Sequence, residues 1–217
     1  MKHLSLLFIA ILIFSSCSQS TEEKANSLIK DEMNKTLVKI KTYEPVETKI
    51  DSAYTPLDSP EFLNTLKEIV NEAQEAEVLT REIELAKTSM AIYSGPHSTA
   101  LSRNEYRKHK EEYERYSAKL DELKTRLKKK GDSLRPLFKK DPSFIGYRVV
   151  HKFRYENEEG QTTFGNMLFI IDKDLQSILA SYDMDSMEYQ LMEQSIKEIQ
   201  EVAEATAVES KQNQTDN

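Results

Sequence analysis

Apolar positions fall at spacings of three and four over four stretches of the chain, and alternate with polar ones over four others. Ala25, Leu28, Ile29, Met33, Leu37 and Ile40 predict a helix from Thr21 to Tyr43, ended by Pro45. Val46 to Tyr54 alternates, and Pro45 at its start marks it as an edge strand. Asp58-Ser59-Pro60-Glu61 is a helix start: a capping residue, proline early in the first turn, and Glu three after Asp. The helix it opens runs to about Tyr93, with a seam of Phe62, Leu66, Ile69, Ala73, Ala76, Thr80, Ile83, Lys87 and Met90. Ser94-Gly95-Pro96-His97 breaks it. A second long helix follows from about Ser102 to Lys130, where Gly131 interrupts it. Its seam is Tyr106, His109, Tyr113, Tyr116, Leu120, Leu123 and Leu127.

From residue 147 the period is two. Tyr147, Val149, His151, Phe153 and Tyr155 share one face of a strand, and Arg148, Val150, Lys152 and Arg154 share the other. Asn157 to Gly160 turns the chain into a strand from Thr162 to Ile171, and Asp172-Lys173-Asp174 turns it again into Ser177 to Tyr182. The result is an antiparallel meander of three strands, with the Val46 strand as a fourth. Asp185-Ser186 opens a last helix carrying Met187, Leu191, Ser195, Ile196, Ile199 and Val202, and from about Ser210 the polar composition predicts a disordered tail.

Charge changes how the two long helices are read. Residues 60–93 carry seven acids and three bases, and residues 103–140 carry fourteen bases and seven acids. Opposite signs favour pairing, so the two are expected to form an antiparallel coiled-coil hairpin. Exposed ion pairs contribute only a few tenths of a kcal/mol each, which leaves the seam as the main source of stability.

The N-terminus adds an address. Lys2 precedes an apolar run from Leu4 to Phe14, followed by Ser15-Ser16-Cys17. Eleven helical residues reach about 16 Å at about 1.5 Å each, short of a hydrocarbon core of about 30 Å, so the run reads as a secretory signal rather than a membrane span. Cys17 is the sole cysteine of the 217 residues and ends the run after two small residues. That placement resembles a lipobox, with Phe14 where leucine is commoner, and implies lipidation of Cys17 by palmitate-type acyl chains. Ser18 in place of Asp favours the outer membrane, on either of its faces. The expected division is a signal over 1–16, then a lipidated N-terminus, tether, helix and edge strand over 17–57. The inserted hairpin follows over 58–142, then the meander and C-terminal helix over 143–207, then a tail over 208–217.

Two blocks carry a family resemblance. Thr42-Tyr43-Glu44-Pro45-Val46 with Asp51-Ser52-Ala53-Tyr54 forms one. Tyr147 to Asn157 leading through a glycine turn into Leu168 to Asp174 forms the other. Together they resemble a family of small Bacteroidetes-type lipoproteins and secreted domains of uncharacterised activity. In that family a helix and a "YEPV…DS.Y" strand precede a "HKFR..N..G" hairpin ending in "DKD". The resemblance covers roughly residues 25–55 and 144–180 and implies a small α+β body, with the helical hairpin as an insertion. It brings no catalytic residues with it.

The residues needed for chemistry are sparse. Formal net charge is −7, and loss of Lys2 with the signal makes it more negative, which disfavours nucleic acid. There is no tryptophan and there are five glycines, so stacked-aromatic sugar platforms and glycine-rich phosphate loops are not expected. His97, His109 and His151 have no metal-ligand spacing, no nucleophile elbow surrounds any serine, and Asp172-Lys173-Asp174 lacks the rest of a calcium loop. No enzyme, metal or cofactor is therefore expected. Tyr106, Tyr113 and Tyr116, where leucine is usual in a seam, are candidate partner-binding residues, as are Lys128, Lys129 and Lys130. The expected fold class is α+β: an antiparallel sheet of three or four strands with packed N- and C-terminal helices and the long hairpin. The expected function is that of a membrane-anchored envelope protein that binds or assembles with a protein partner through the hairpin. The alternative is a small-ligand or inhibitor module using Arg148, Lys152 and Arg154 on an anionic group.

Overall fold

The structure is a computed structural model. It describes residues 20–95 and 99–215, with side chains described up to residue 201. The signal segment, Cys17 and His97 lie outside the described residues. Among the described residues the chain is α+β, with four long helices and a four-stranded antiparallel sheet. In chain order these are α1 (Thr21–Thr36), β1 (Glu44–Tyr54), α2 (Pro60–Tyr93), α3 (Ala100–Leu134), β2 (Phe144–Glu156), β3 (Thr162–Asp172), β4 (Ile178–Asp183) and α4 (Met187–Thr215). The strands lie in the order β1-β2-β3-β4. Two compact units result: residues up to Ser52 with Gly146–Ser181, and Ala53–Ile145 with the chain from Tyr182 onward. The C-terminal helix thus falls with the hairpin and not with the meander.

In the first unit, the odd positions of β2 meet α1. Ala25, Ile29 and Met33 of α1 pack with Val149, Phe153, Phe169 and Ile171 to form the core. Ser20 caps α1 through a reciprocal pair with Glu23, so the first helical residue is Thr21, as the pattern gives it. The predicted extension of this helix to Tyr43 is corrected. Leu37 adopts extended backbone and the chain continues as a short 3-10 turn over Ile40–Thr42, so Leu37 and Ile40 reach the same core without a continuous helix. Two glycines are required by close approach. Gly146 sits at a φ of +147°, and a side chain there would run into the Ile171 carbonyl. Gly165, opposite Phe153 in the β2–β3 register, lets that ring lie over its Cα.

In the second unit, α2 and α3 form the antiparallel hairpin. Their contacts climb one helix while descending the other: Glu68 and Glu72 with Lys130, Glu72 with Arg126, Glu75 with Lys119, and Tyr93 stacked on His109. The seam centres on Leu79, Ile83, Leu120 and Leu123, flanked by Ala76, Tyr113, Tyr116 and Leu127. The α3 side matches the expected positions. On α2 the three-four alternation has the opposite phase, because Leu79 and Ala86 turn inward while Thr80, Lys87 and Ala73 are exposed. Leu79 and Ala86 are taken inward over their polar neighbours Thr80 and Lys87, whereas at the next pair down it is Glu72, held by Arg126 and Lys130, that turns inward and Ala73 that is exposed.

Helix starts follow their caps. Ser59, not Asp58, caps α2 by accepting from the Phe62 amide, while the Asp58 carboxylate accepts from the Tyr54 amide. Thr99 caps α3 three residues ahead of Ser102. Gly131 does not interrupt α3, which continues to Leu134 because no side chain is demanded there and one glycine costs only about 1 kcal/mol. The α4 backbone continues to Thr215, into the stretch from Ser210 where a tail is expected, over lysine and glutamine that suit a helix.

Replacing Gly165 with alanine is expected to force Phe153 from its place. The resulting destabilisation, read as a fall in the urea midpoint, should be about 1–3 kcal/mol. An unchanged midpoint would mean that Phe153 does not depend on the missing side chain.

Candidate functional site

The expected partner-binding residues separate into two groups. Tyr113 and Tyr116 belong to the hairpin seam and are half-buried beside Leu120. Lys87 lies 5.9 Å from the Tyr113 ring centre and the Arg115 guanidinium 4.8 Å from that of Tyr116, so both rings are capped by cations of their own hairpin. Tyr106 is placed differently: with Tyr93, Ser94 and Arg103 it lines a shallow surface cleft. His109 is half-buried, stacked on Tyr93 and 2.8 Å from a Glu112 carboxylate oxygen.

The basic triplet also divides. Lys130 donates to Glu68 at 2.6 Å and to Glu72 at 3.2 Å, and those hydrogen bonds raise its pKa against the opposing pull of burial. Lys128 and Lys129 point to solvent. Glu72 sits in the seam itself, its side chain 16% exposed, and one of its oxygens takes both Arg126 and Lys130. A charged residue at an inward position costs stability but fixes which turn of α3 faces which turn of α2.

On the sheet, Arg154 is bound to Glu44 by two hydrogen bonds, and Lys152 lies 3.1 Å from Glu47. Glu47 also meets Lys49 at 3.2 Å, and hydrogen bonds from Lys152 and then Lys49 hold its carboxyl below the ordinary range. Arg148 is half-buried and engaged. Lys152 and Arg154 are therefore each matched by an acid of β1. A surface cleft of about 410 Å³ beside it, lined by Lys41, Thr42, Arg154 and Thr162, also presents Glu44 and Glu156.

One arrangement was not read from the sequence as a site. His151 is 1% exposed, the one buried histidine, acid or base among the described residues. Its Nε2 lies 2.7 Å from the Tyr43 hydroxyl and its Nδ1 2.9 Å from the Thr48 hydroxyl, which in turn donates to Asn26 Oδ1 at 3.1 Å. Since the Thr48 proton is committed to Asn26, Nδ1–H must donate to Thr48 and Nε2 must accept from Tyr43. The ring is held neutral in one tautomer, stacked on Phe153, with no carboxylate in the chain of bonds. This chain links α1, the 3-10 turn, β1 and β2. Burial lowers the His151 pKa and raises that of Tyr43, so it is a poor base and a poor acid in place. Its partners lie as much as 108 residues away in sequence, and only the period-two run containing His151 hinted at its direction.

Asp172 has a structural task. Its Oδ1 accepts from the Asp174 and Gln176 amides and its Oδ2 from the Ser177 hydroxyl. Burial pushes its carboxyl up, but the bonds from Ser177, Gln176 and Asp174 outweigh that and hold it below the usual range. The turn passes through Leu175 at a φ of +55°. Among the described residues no cluster of three or more His, Cys, Asp or Glu side chains could hold a metal, and no helix is long and apolar enough to cross a membrane. No protein-family model matches the chain, and no curated protein or solved structure matches it significantly.

His151 makes a pH prediction. Above the unfolded pKa of about 6.5 both states are neutral and stability is flat. As pH falls below it, the unfolded chain takes up a proton that the folded ring resists, so stability is lost. The urea midpoint is expected to decline between pH 7 and pH 5.5, and the decline should be smaller in His151→Gln. Parallel curves for the two proteins would show that the ring titrates freely.

Proposed function

We propose that the chain is an envelope protein held to a membrane by lipid on Cys17, and that the hairpin is its protein-binding element. The observation that supports this reading is the make-up of the hairpin. Helices of 34 and 35 residues are already closed on each other by a leucine seam and by ion pairs, yet they leave large apolar side chains in solvent. Leu85 is 61% exposed and Ile92 and Leu101 are each 71% exposed. Exposing such side chains gains nothing for the hairpin, while burying one against a partner contributes about 1.5–3 kcal/mol. The alternative, a small anionic ligand on the sheet, has less support, because Arg154 and Lys152 are already matched by Glu44 and Glu47. A non-enzymatic role accords with a buried histidine whose two nitrogens are both engaged.

The test is a shortened hairpin in which residues 85–115 are replaced by a four-residue turn. This keeps the Glu75–Lys119, Glu72–Arg126 and Glu68–Lys130 pairs and the Leu79–Leu123 packing. Cross-linking in the native envelope is expected to capture a specific protein with the full-length chain and to lose it with the shortened one. Identical captures from both would end the proposal. Incorporation of labelled palmitate, lost in Cys17→Ser, checks the anchor separately.

A further inference from the structure

The positive charge of α3 is concentrated at one end. Residues 100–123 carry six bases and six acids, while residues 124–144 carry eight bases against Asp132 and Asp141. Of the four acids over residues 60–75 of α2, three are already used. Glu68 and Glu72 meet Lys130, Glu72 also meets Arg126, and Glu75 meets Lys119. Asp132 lies 3.5 Å from Arg135. Five lysines are left exposed with no ion pair among the described residues: Lys124, Lys128, Lys129, Lys139 and Lys140.

Aromatic side chains stand among them. Phe138, directly before Lys139 and Lys140, lies edge-on to the buried Phe62 at 5.5 Å and is itself 40% exposed. The Thr55 amide donates to the Ser143 carbonyl at 3.0 Å and the Ser143 amide to the Thr55 hydroxyl at 2.9 Å. That clasp sets Tyr54 edge-on to Phe144 at 5.9 Å, and the two rings are 47% and 44% exposed. Rings and unpaired lysines together are the make-up of a surface that lies on a bilayer. The rings enter the headgroup boundary while the ammonium groups meet lipid phosphate. Residue type points the same way. Both arginines of this end, Arg126 and Arg135, are committed to acids, and every unpaired cation is a lysine. A flexible point charge suits a fluid layer of phosphates, whereas the planar fork of arginine suits a fixed carboxylate on a protein.

We propose that the base of the hairpin, the lysines from Lys124 to Lys140 with Tyr54, Phe138 and Phe144, is a membrane-contact surface for anionic phospholipid. Lipid on Cys17 would keep a bilayer within reach, yet the patch has its own charge and rings and binds without that lipid. Contact there puts the base of the hairpin at the bilayer and leaves the far turns, with Leu85, Ile92 and Leu101, to the protein partner.

The test uses the chain from Ser18 to Asn217, which keeps every described residue and holds no cysteine. Cosedimentation at physiological salt compares vesicles of phosphatidylcholine alone with vesicles that include about 30% phosphatidylglycerol. Partition onto the anionic vesicles is expected to be at least about tenfold stronger. Combining Lys124→Gln, Lys128→Gln, Lys129→Gln, Lys139→Gln and Lys140→Gln should reduce it by at least about tenfold. The melting temperature should hold, because these side chains lie in solvent. An environment-sensitive fluorophore on Asp141→Cys, between Lys140 and Phe144, is expected to shift to the blue on anionic vesicles. The same fluorophore on Glu111→Cys, in the far half of α3, should keep its emission in water. Equal partition onto neutral vesicles, or no loss in the lysine variant, would overturn the proposal. So would binding that needs the lysines while the Asp141 label stays unshifted, since charge alone would then hold the chain, as an acidic protein surface does. Absence of palmitate from the native chain together with intact vesicle binding would end the anchor reading and uphold this one.

Discussion

One helix with two apolar faces constrains the second unit. An amphipathic surface helix has a single stripe to bury, and one neighbour suffices for it. Helix α2 instead must satisfy α3 along its full length and a different surface on another side. The α3 side closes through Leu79, Ile83, Leu120 and Leu123, each of which contributes on the order of 1.5–3 kcal/mol when buried. The flanking ion pairs are mostly exposed and add a few tenths each, so they choose the register more than they provide stability. Glu72 is the strongest such choice, since sliding the hairpin would leave a nearly buried carboxylate without Arg126 and Lys130. On another side α4 borders the turns from Lys67 to Glu77, and Val78, Leu85 and Ile92 are exposed.

The first unit is organised around a polar constraint inside an apolar core. Tyr43, His151, Thr48 and Asn26 form a single directed chain of hydrogen bonds, and each donor has one acceptor. Such a chain specifies how α1, the 3-10 turn, β1 and β2 meet, because removing any member leaves a buried polar group without a partner. The 3-10 turn is explained by the same geometry. It replaces the last turns of the expected helix and brings Tyr43 to the ring, with Thr42 also accepting from the Glu156 amide.

Much of this was legible in the chain. Period-two alternation from Tyr147 placed the core face of β2 correctly, and the α3 seam from Tyr106 to Leu127 could be read position by position. Misreadings were mostly one-residue errors between chemically adequate neighbours. The cap of α2 is Ser59, one residue after the Asp58 to which the Glu61 spacing pointed. In α2 the periodicity fitted either Leu79 and Ala86 or Thr80 and Lys87, and the polarity of the second pair was the overlooked signal. The buried chain at His151 could not be read, since it is assembled from residues 22 to 108 positions apart. Nor could the neutralisation of Lys152 and Arg154, which depends on β1 lying beside β2.

The central claim is that α2 has one face filled and one face open, and methyl-resolved NMR with a soluble paramagnetic agent tests it most directly. The account predicts strong relaxation at Val78, Leu85 and Ile92 and protection at Leu79, Ile83 and Leu123 in the free chain. Protection at all six would mean that the chain already covers Val78, Leu85 and Ile92, and the two-faced account of α2 would be contradicted.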